Sequence, residues 1–172
     1  LPVVVTNCSN NYGPWQFPEK LIPVVILKAL AGEPIPLYGD GKNIRDWLHV
    51  EDHVEGLLIA ALKGKLGAKY CIGGNSERSN KQVVEQICFL LDEIQPSLYS
   101  YASLIEYVKD RPGHDYRYAI NPSLIQNQLN WSPSIDFEKG LRQTILWYLE
   151  NIEWCNDVKR KSGYLGQRLG DK

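Results

Sequence analysis

The chain has 172 residues, 44% of them hydrophobic and 23% charged, with a net charge of −1. That is ordinary for a soluble domain with a real core. No Lys/Arg cluster resembles a nucleic-acid footprint and no apolar run approaches a bilayer span, so neither nucleic acid nor membrane is expected as a partner. The four cysteines, Cys8, Cys71, Cys88 and Cys155, are widely spaced and form no Cys-x-x-Cys pair. They read as reduced thiols of a cytoplasmic protein. Methionine is absent and the chain opens directly on an apolar run, which together favour a piece of a longer protein.

In chain order, Leu1 to Val5 reads as a buried strand feeding a polar loop, Thr6 to Pro14. In open α/β sheets ligands sit beyond the carboxyl ends of strands, so this loop is a candidate ligand wall. Pro18 suits an early helical position, Lys20 to Leu30 carries a long apolar face with Pro23 in its first turn, and Gly32 stops it. Ile35 to Tyr38 reads as a short edge strand, since Pro36 is tolerated there. Gly39 to Asn43 is a turn, and Ile44 to Val50 is extended. Glu51 and Asp52 then open a helix whose Val54, Leu57, Leu58, Ala61 and Leu62 form one apolar stripe.

Ala68 to Ile72 is a further strand, ended by Gly73-Gly74. Asn80 is placed to cap a helix whose Val83, Val84, Ile87, Leu90, Leu91 and Ile94 recur at helical spacing. Leu104–Val108 and Tyr116–Ile120 read as strands flanking Asp110-Arg111-Pro112-Gly113-His114. Pro122–Leu129 is a short helix, and Phe137, Leu141, Ile145, Tyr148 and Ile152 mark the last amphipathic one. From Asn156 the chain is polar, with Gly163, Gly166 and Gly170, and reads as a loose tail.

Several polar groups admit both a plain and a chemical reading. Asn10-Asn11-Tyr12-Gly13-Pro14 is composed of turn residues, yet a carboxamide offers both a donor and an acceptor to a phosphate or a sugar hydroxyl. Lys20 at a helix start is electrostatically odd unless an anion such as a diphosphate lies there. Arg45 and Asp46 alternate to opposite faces of an extended segment, where a pair of surface charges is the commoner case. Arg111 and His114 share a rigid loop that could grip phosphate, or could simply connect strands. His49 and His53 are four apart, but a strand-to-helix transition falls between them and no third ligand is near, so no metal is expected. No GxGxxG, P-loop or Ser/His/Asp arrangement occurs, and no catalytic residue is assigned.

Four strings change the balance: Thr6-Asn7-Cys8-Ser9-Asn10-Asn11-Tyr12-Gly13-Pro14 with Gln16 to Pro23, Tyr38-Gly39-Asp40-Gly41, Arg45 to His53, and Asp110 to Asp115. In this order, over about residues 1 to 150, the chain resembles the dTDP-glucose 4,6-dehydratases of the extended short-chain dehydrogenase/reductase superfamily. The resemblance implies an α/β fold: the C-terminal portion of an NAD(P)-binding Rossmann-type protein, mainly its small mixed α/β substrate domain plus a late Rossmann strand. It divides the chain into residues 1–14 (strand and active-site loop), 15–152 (nucleotide-sugar-binding domain) and 153–172 (polar tail).

The family's reaction is internal redox with NAD: hydride leaves C4 of the glucose, water is lost across C5 and C6, and hydride returns to C6. The glycine-rich dinucleotide loop, the Tyr-x-x-x-Lys pair and the elimination residues are not in this sequence. By motif, Asn10 would contact substrate and Asn11 the nicotinamide end of NAD, while Lys20 and Leu21 would meet the diphosphate region. Pro36, Leu37 and Tyr38 would line the thymine pocket, with the Tyr38 ring available for stacking. Arg45 and Arg111 would clamp the diphosphate, and Asn80 and His114 would complete the nucleotide site. Trp15 stands where the family often has Tyr. A dTDP-sugar is the implied partner, and a homodimer is left open. The alternatives are part of a UDP-sugar epimerase or decarboxylase, or a non-catalytic nucleotide-sugar-binding module.

Overall fold

Ser9 divides the opening polar stretch into two strands. In the computed structural model, which describes residues 1–163, β1 is Val5–Cys8 and β2 is Asn10–Tyr12. The expected strand over Leu1 to Val5 is therefore displaced: Leu1 and Val3 are exposed, and pairing starts only at Val5. The ladder decides this, because β1 finds its parallel partner in β5 (Lys69–Ile72), with Val5 opposite Lys69 and Cys8 opposite Ile72. The polar residues placed in a loop are thus largely strand.

The chain alternates between two compact units. The first comprises residues 1–13, 44–78 and 117–140. Beside the β1–β5 pair, it holds a sheet in which β4 (Ile44–His49) lies between β2 and β6 (Glu77–Ser79) and also pairs with β8 (Arg117–Tyr118). β2 runs parallel to β4, with Asn10 opposite Trp47 and Tyr12 opposite His49. His49 ends that strand and caps α2 (Val50–Lys63): its Nδ1 accepts the Glu51 N–H.

α2 does not bury the stripe its periodicity suggests. Leu58 and Leu62 are 57% and 81% exposed, and Val54 and Leu57 face solvent too. The buried line is Asp52, Gly56 and Ala60. Small residues let the helix axis approach closely, and a Cβ on Gly56 would lie 2.9 Å from Ile72 and 3.2 Å from Trp131. Ala60 joins a core of Leu48, Tyr70, Ile72, Ile125 and Trp131, closed by α4 (Ser123–Leu129). Asp52 accepts hydrogen bonds from the Ser134 N–H and hydroxyl and from the Ile135 N–H, pinning the segment that follows Trp131.

The second unit comprises residues 14–43, 79–116 and the chain from Leu141. α1 (Leu21–Ala31) starts three residues after Pro18, which sits in a turn, and ends on Gly32 at φ 67°. α1 packs on α3 (Asn80–Ile94), whose Val83, Val84, Ile87, Leu90 and Leu91 are buried as their spacing suggests. β3 (Ile35–Tyr38) pairs in parallel with β7 (Ile105–Val108), with Tyr38 opposite Val108. A 3-10 turn, Tyr101–Leu104, leads into β7.

α5 (Phe137–Glu150) is followed by α6 (Ile152–Ser162), a helix where a loose tail was expected. The reason is aromatic: Trp154, Trp147 and Trp15 pack together in tilted and edge-on pairs, with ring centroids 4.9–5.2 Å apart. Cys155 is buried on the same helix, and Gly163 at φ 70° caps it. Gly166 and Gly170 lie outside the described residues. No helix among them is long and apolar enough to cross a membrane.

Candidate functional site

Within the second unit, three segments that carry candidate residues converge at the carboxyl ends of β3 and β7. β3 delivers Tyr38 into the turn Gly39–Asn43, where Gly39 and Gly41 take positive φ and Asp40 accepts the Lys42 N–H. That turn is stitched to the start of α3: Asn80 N–H donates to Asn43 O (2.9 Å) and Lys81 N–H to Gly41 O (3.0 Å). It is also tied to the loop after β7, since Gly39 N–H donates to Val108 O and Asn43 Nδ2 to Asp115 O. The crevice beyond parallel strand ends is where α/β sheets bind ligands.

Alternation on β3 sends Leu37 into the core while Pro36 and Tyr38 are half-buried on the other side. Leu37 packs under Gly41 and shapes the turn from below. The His114 and Tyr38 rings stand nearly perpendicular, 6.5 Å between centroids and 83° between planes. His114 is held by Asp110 at 2.7 Å. Arg111 is exposed on the same loop, and its backbone N–H donates to Asp110.

Asn80 is not the cap it was expected to be. Ser79 caps α3, accepting the Gln82 N–H, while the Gln82 side chain accepts the Ser79 N–H. The Ser79-x-x-Gln82 pattern is a capping box legible in the sequence. Asn80 becomes the first helical residue, buried at the positive end of a 15-residue helix.

Lys20 stands just before α1, as its position suggested, and Leu21 opens the helix half-buried. Glu19 lies 2.6 Å from the Lys20 ammonium, so part of its charge is balanced locally without a ligand.

In the first unit, Asn10 and Asn11 lie on β2 beside β4, which carries Arg45. Arg45 is 8% exposed and Asp46 1%, so neither is the surface charge the commoner case would make it. Arg45 donates to Ile44 O at 2.7 Å. Asp46, on the opposite face, accepts the N–H groups of Gly74 and Ser76 and moors the turn after β5 to β4.

Asn11 Nδ2 donates to Ser9 O, so one of its amide hydrogens is already used. Tyr12 is buried among Trp47, His49 and Phe137, and its hydroxyl donates to Phe137 O. His49 is a buried cap whose pKa burial pushes down, and no group of three or more metal-ligating side chains occurs among the described residues.

Motif reading passed over Asp110, Asn43 and Gly39. Asp110 and His114 are four apart in one loop, a carboxylate–imidazole spacing visible in the sequence.

Comparison with known proteins gives the family. The chain is 57% identical over 159 residues to the dTDP-glucose 4,6-dehydratase of Salmonella typhimurium, covering 92% of this chain and 44% of that protein. It superposes with a TM-score of 0.83 and 51% identity on a solved dTDP-glucose 4,6-dehydratase of Bacillus anthracis, covering 92% of this chain and 48% of that one. The UDP-glucose 4-epimerase of Thermotoga maritima gives a TM-score of 0.75 at 25% identity, covering 87% and 46%. The chain spans about half the length of the curated relatives it matches. The expected α/β class and the resemblance to dTDP-glucose 4,6-dehydratases therefore both hold. The family model for GDP-mannose 4,6 dehydratase matches residues 1–144, and the chain belongs to that family.

Proposed function

We propose that this chain supplies the nucleotide-sugar-binding part of an NAD-dependent dTDP-glucose 4,6-dehydratase. The observation that carries the reading is the convergence of Tyr38, Asn80 and the Arg111–His114 loop at the ends of two parallel strands, in a chain 57% identical to one such enzyme. Tyr38 offers its ring to the thymine, with Pro36 beside it and Leu37 supporting the turn. Arg111 on the second unit, and Arg45 on the first, are each assigned as a diphosphate ligand from the motif that carries it, because a guanidinium pairs two phosphate oxygens at once. Lys20 adds a point charge ahead of α1, whose first N–H groups, from Leu21 on, favour an anion. Asn80 and His114 hydrogen-bond the nucleotide, and Asn10 the sugar.

The described residues do not amount to an NAD site. Asn11 is the one candidate, and its amide is engaged with Ser9. The redox and elimination steps are accordingly assigned to no residue here. The four free cysteines support a reducing, cytoplasmic setting for the longer protein, for which a homodimer stays open.

The test is turnover of dTDP-glucose. The chain alone is expected to be inactive, and joined to the amino-terminal half of the Salmonella relative it is expected to form the 4-keto-6-deoxy product. Turnover by the isolated chain overturns the division of labour. A folded, NAD-loaded hybrid that turns over a UDP-sugar instead of dTDP-glucose overturns the substrate.

A further inference from the structure

The nucleotide reading leaves one carboxylate at the Tyr38–His114 pair without a role. Asp110 Oδ1 lies 2.7 Å from His114 Nδ1 and 2.9 Å from the Arg111 backbone nitrogen. The other side of the carboxylate presses on Gly39, where an added Cβ would stand 3.2 Å from Asp110 Oδ2 and 3.3 Å from its Cβ. Gly39 sits at φ 59°, and its N–H is committed to Val108 O. One side chain therefore joins the end of β3, the backbone of the arginine loop and the histidine ring.

The direction of the hydrogen bond follows from charge. The His114 contact holds the Asp110 carboxyl below its ordinary range, helped by the Arg111 N–H. An ionised carboxylate only accepts, so Nδ1 must carry the proton. The nitrogen left for a ligand is then Nε2, on a ring whose side chain is 6% exposed and which stands perpendicular to the Tyr38 ring.

We infer that Asp110 is a positioning residue of the nucleotide site: it fixes His114 in its Nδ1–H form and against Tyr38, while Gly39 leaves the room it needs. The inference rests on the nucleotide reading for its purpose, but not for its geometry.

The experiment has two readouts on the full 172-residue chain. Nitrogen-15 correlation spectra of the ligand-free chain should show His114 protonated at Nδ1, with the proton moving to Nε2 in Asp110→Ala. Calorimetric titration with dTDP should show Asp110→Ala binding about tenfold more weakly, the scale of one charged hydrogen bond. Asp110→Asn, whose amide oxygen still accepts from Nδ1, should keep the Nδ1–H form and most of the affinity. Gly39→Ala should reproduce the Asp110→Ala loss with Asp110 itself intact.

An unchanged ring signature in folded Asp110→Ala, or unchanged dTDP affinity in both Asp110→Ala and Gly39→Ala, overturns the inference. A wild-type chain that shows Nδ1–H but binds no dTDP refutes the nucleotide reading instead, so the two failures are told apart.

Discussion

Removing the Asp46 carboxylate should be among the most damaging single changes in the first unit. The side chain is 1% exposed and accepts two backbone hydrogens, from Gly74 at 2.9 Å and Ser76 at 2.7 Å. Asp46→Ala leaves both donors without a partner. Both donors are half-buried, so at no more than about 1–3 kcal/mol for each left unmade the cost is at most about 2–6 kcal/mol. That is comparable to the whole stability of many domains, about 5–15 kcal/mol.

The two glycines of the turn are packed closely against β4. A Cβ on Gly74 would lie 1.9 Å from Trp47 O, and one on Gly73 would lie 2.9 Å from Asp46 Oδ2. Asp46→Asn keeps one acceptor oxygen but turns an NH2 toward the second N–H, so it should lose roughly half as much. Urea unfolding followed by tryptophan fluorescence measures both. An Asp46→Ala midpoint within about 0.5 kcal/mol of wild type, the range of an ordinary surface change, would refute the reasoning.

Other expectations follow from the same structure. Leu58→Lys and Leu62→Lys should shift stability by no more than about 0.5 kcal/mol, since both side chains are exposed, and a loss of 2 kcal/mol or more would restore the buried stripe. Burial lowers the pKa of His49 and of His53 below the ordinary 6.5. The unfolded chain therefore binds more protons below that value, and stability should fall as pH drops from about 6.5 through the lowered folded values. A urea midpoint flat between pH 7 and 5 contradicts this, and His49→Asn, which can still cap α2, should flatten part of the slope. Burial pushes the Cys88 thiol up to about 12 and raises Cys155 as well. Both should resist a thiol reagent at pH 8 until the chain unfolds, and prompt labelling of native Cys88 would contradict its burial.

Where local pattern and tertiary burial agree, the sequence was a sound guide. The α3 stripe, the Gly32 stop, the β3 span and, to within a residue, the strand-to-helix change between β4 and α2 are examples. Each is set by spacing or by a residue with one strong preference. The α2 stripe misled because periodicity identifies an apolar face without saying what covers it. Gly56 and Ala60 give the opposite face the closer approach to Ile72 and Trp131. α6 was missed because its polar residues hide three structural anchors, Trp154, Cys155 and the Gly163 cap.

At the candidate site, the motifs pointed to Tyr38, Arg111 and His114 but not to the groups that orient them. Asp110 and Asn43 act across turns, and no helical or strand period reports such contacts. The cap was placed on Asn80, one residue late, because Ser79 and Asn80 are both favoured cap residues. The Gln82 partner distinguishes them.

The most direct measurement is calorimetric titration of the chain with dTDP and with UDP, on wild type and on Arg111→Ala. The account predicts dTDP binding tighter than UDP, and a dTDP affinity about ten- to a hundredfold lower without Arg111, the scale of a charged hydrogen-bonded pair. Tighter UDP binding, or dTDP binding indifferent to Arg111, would contradict it.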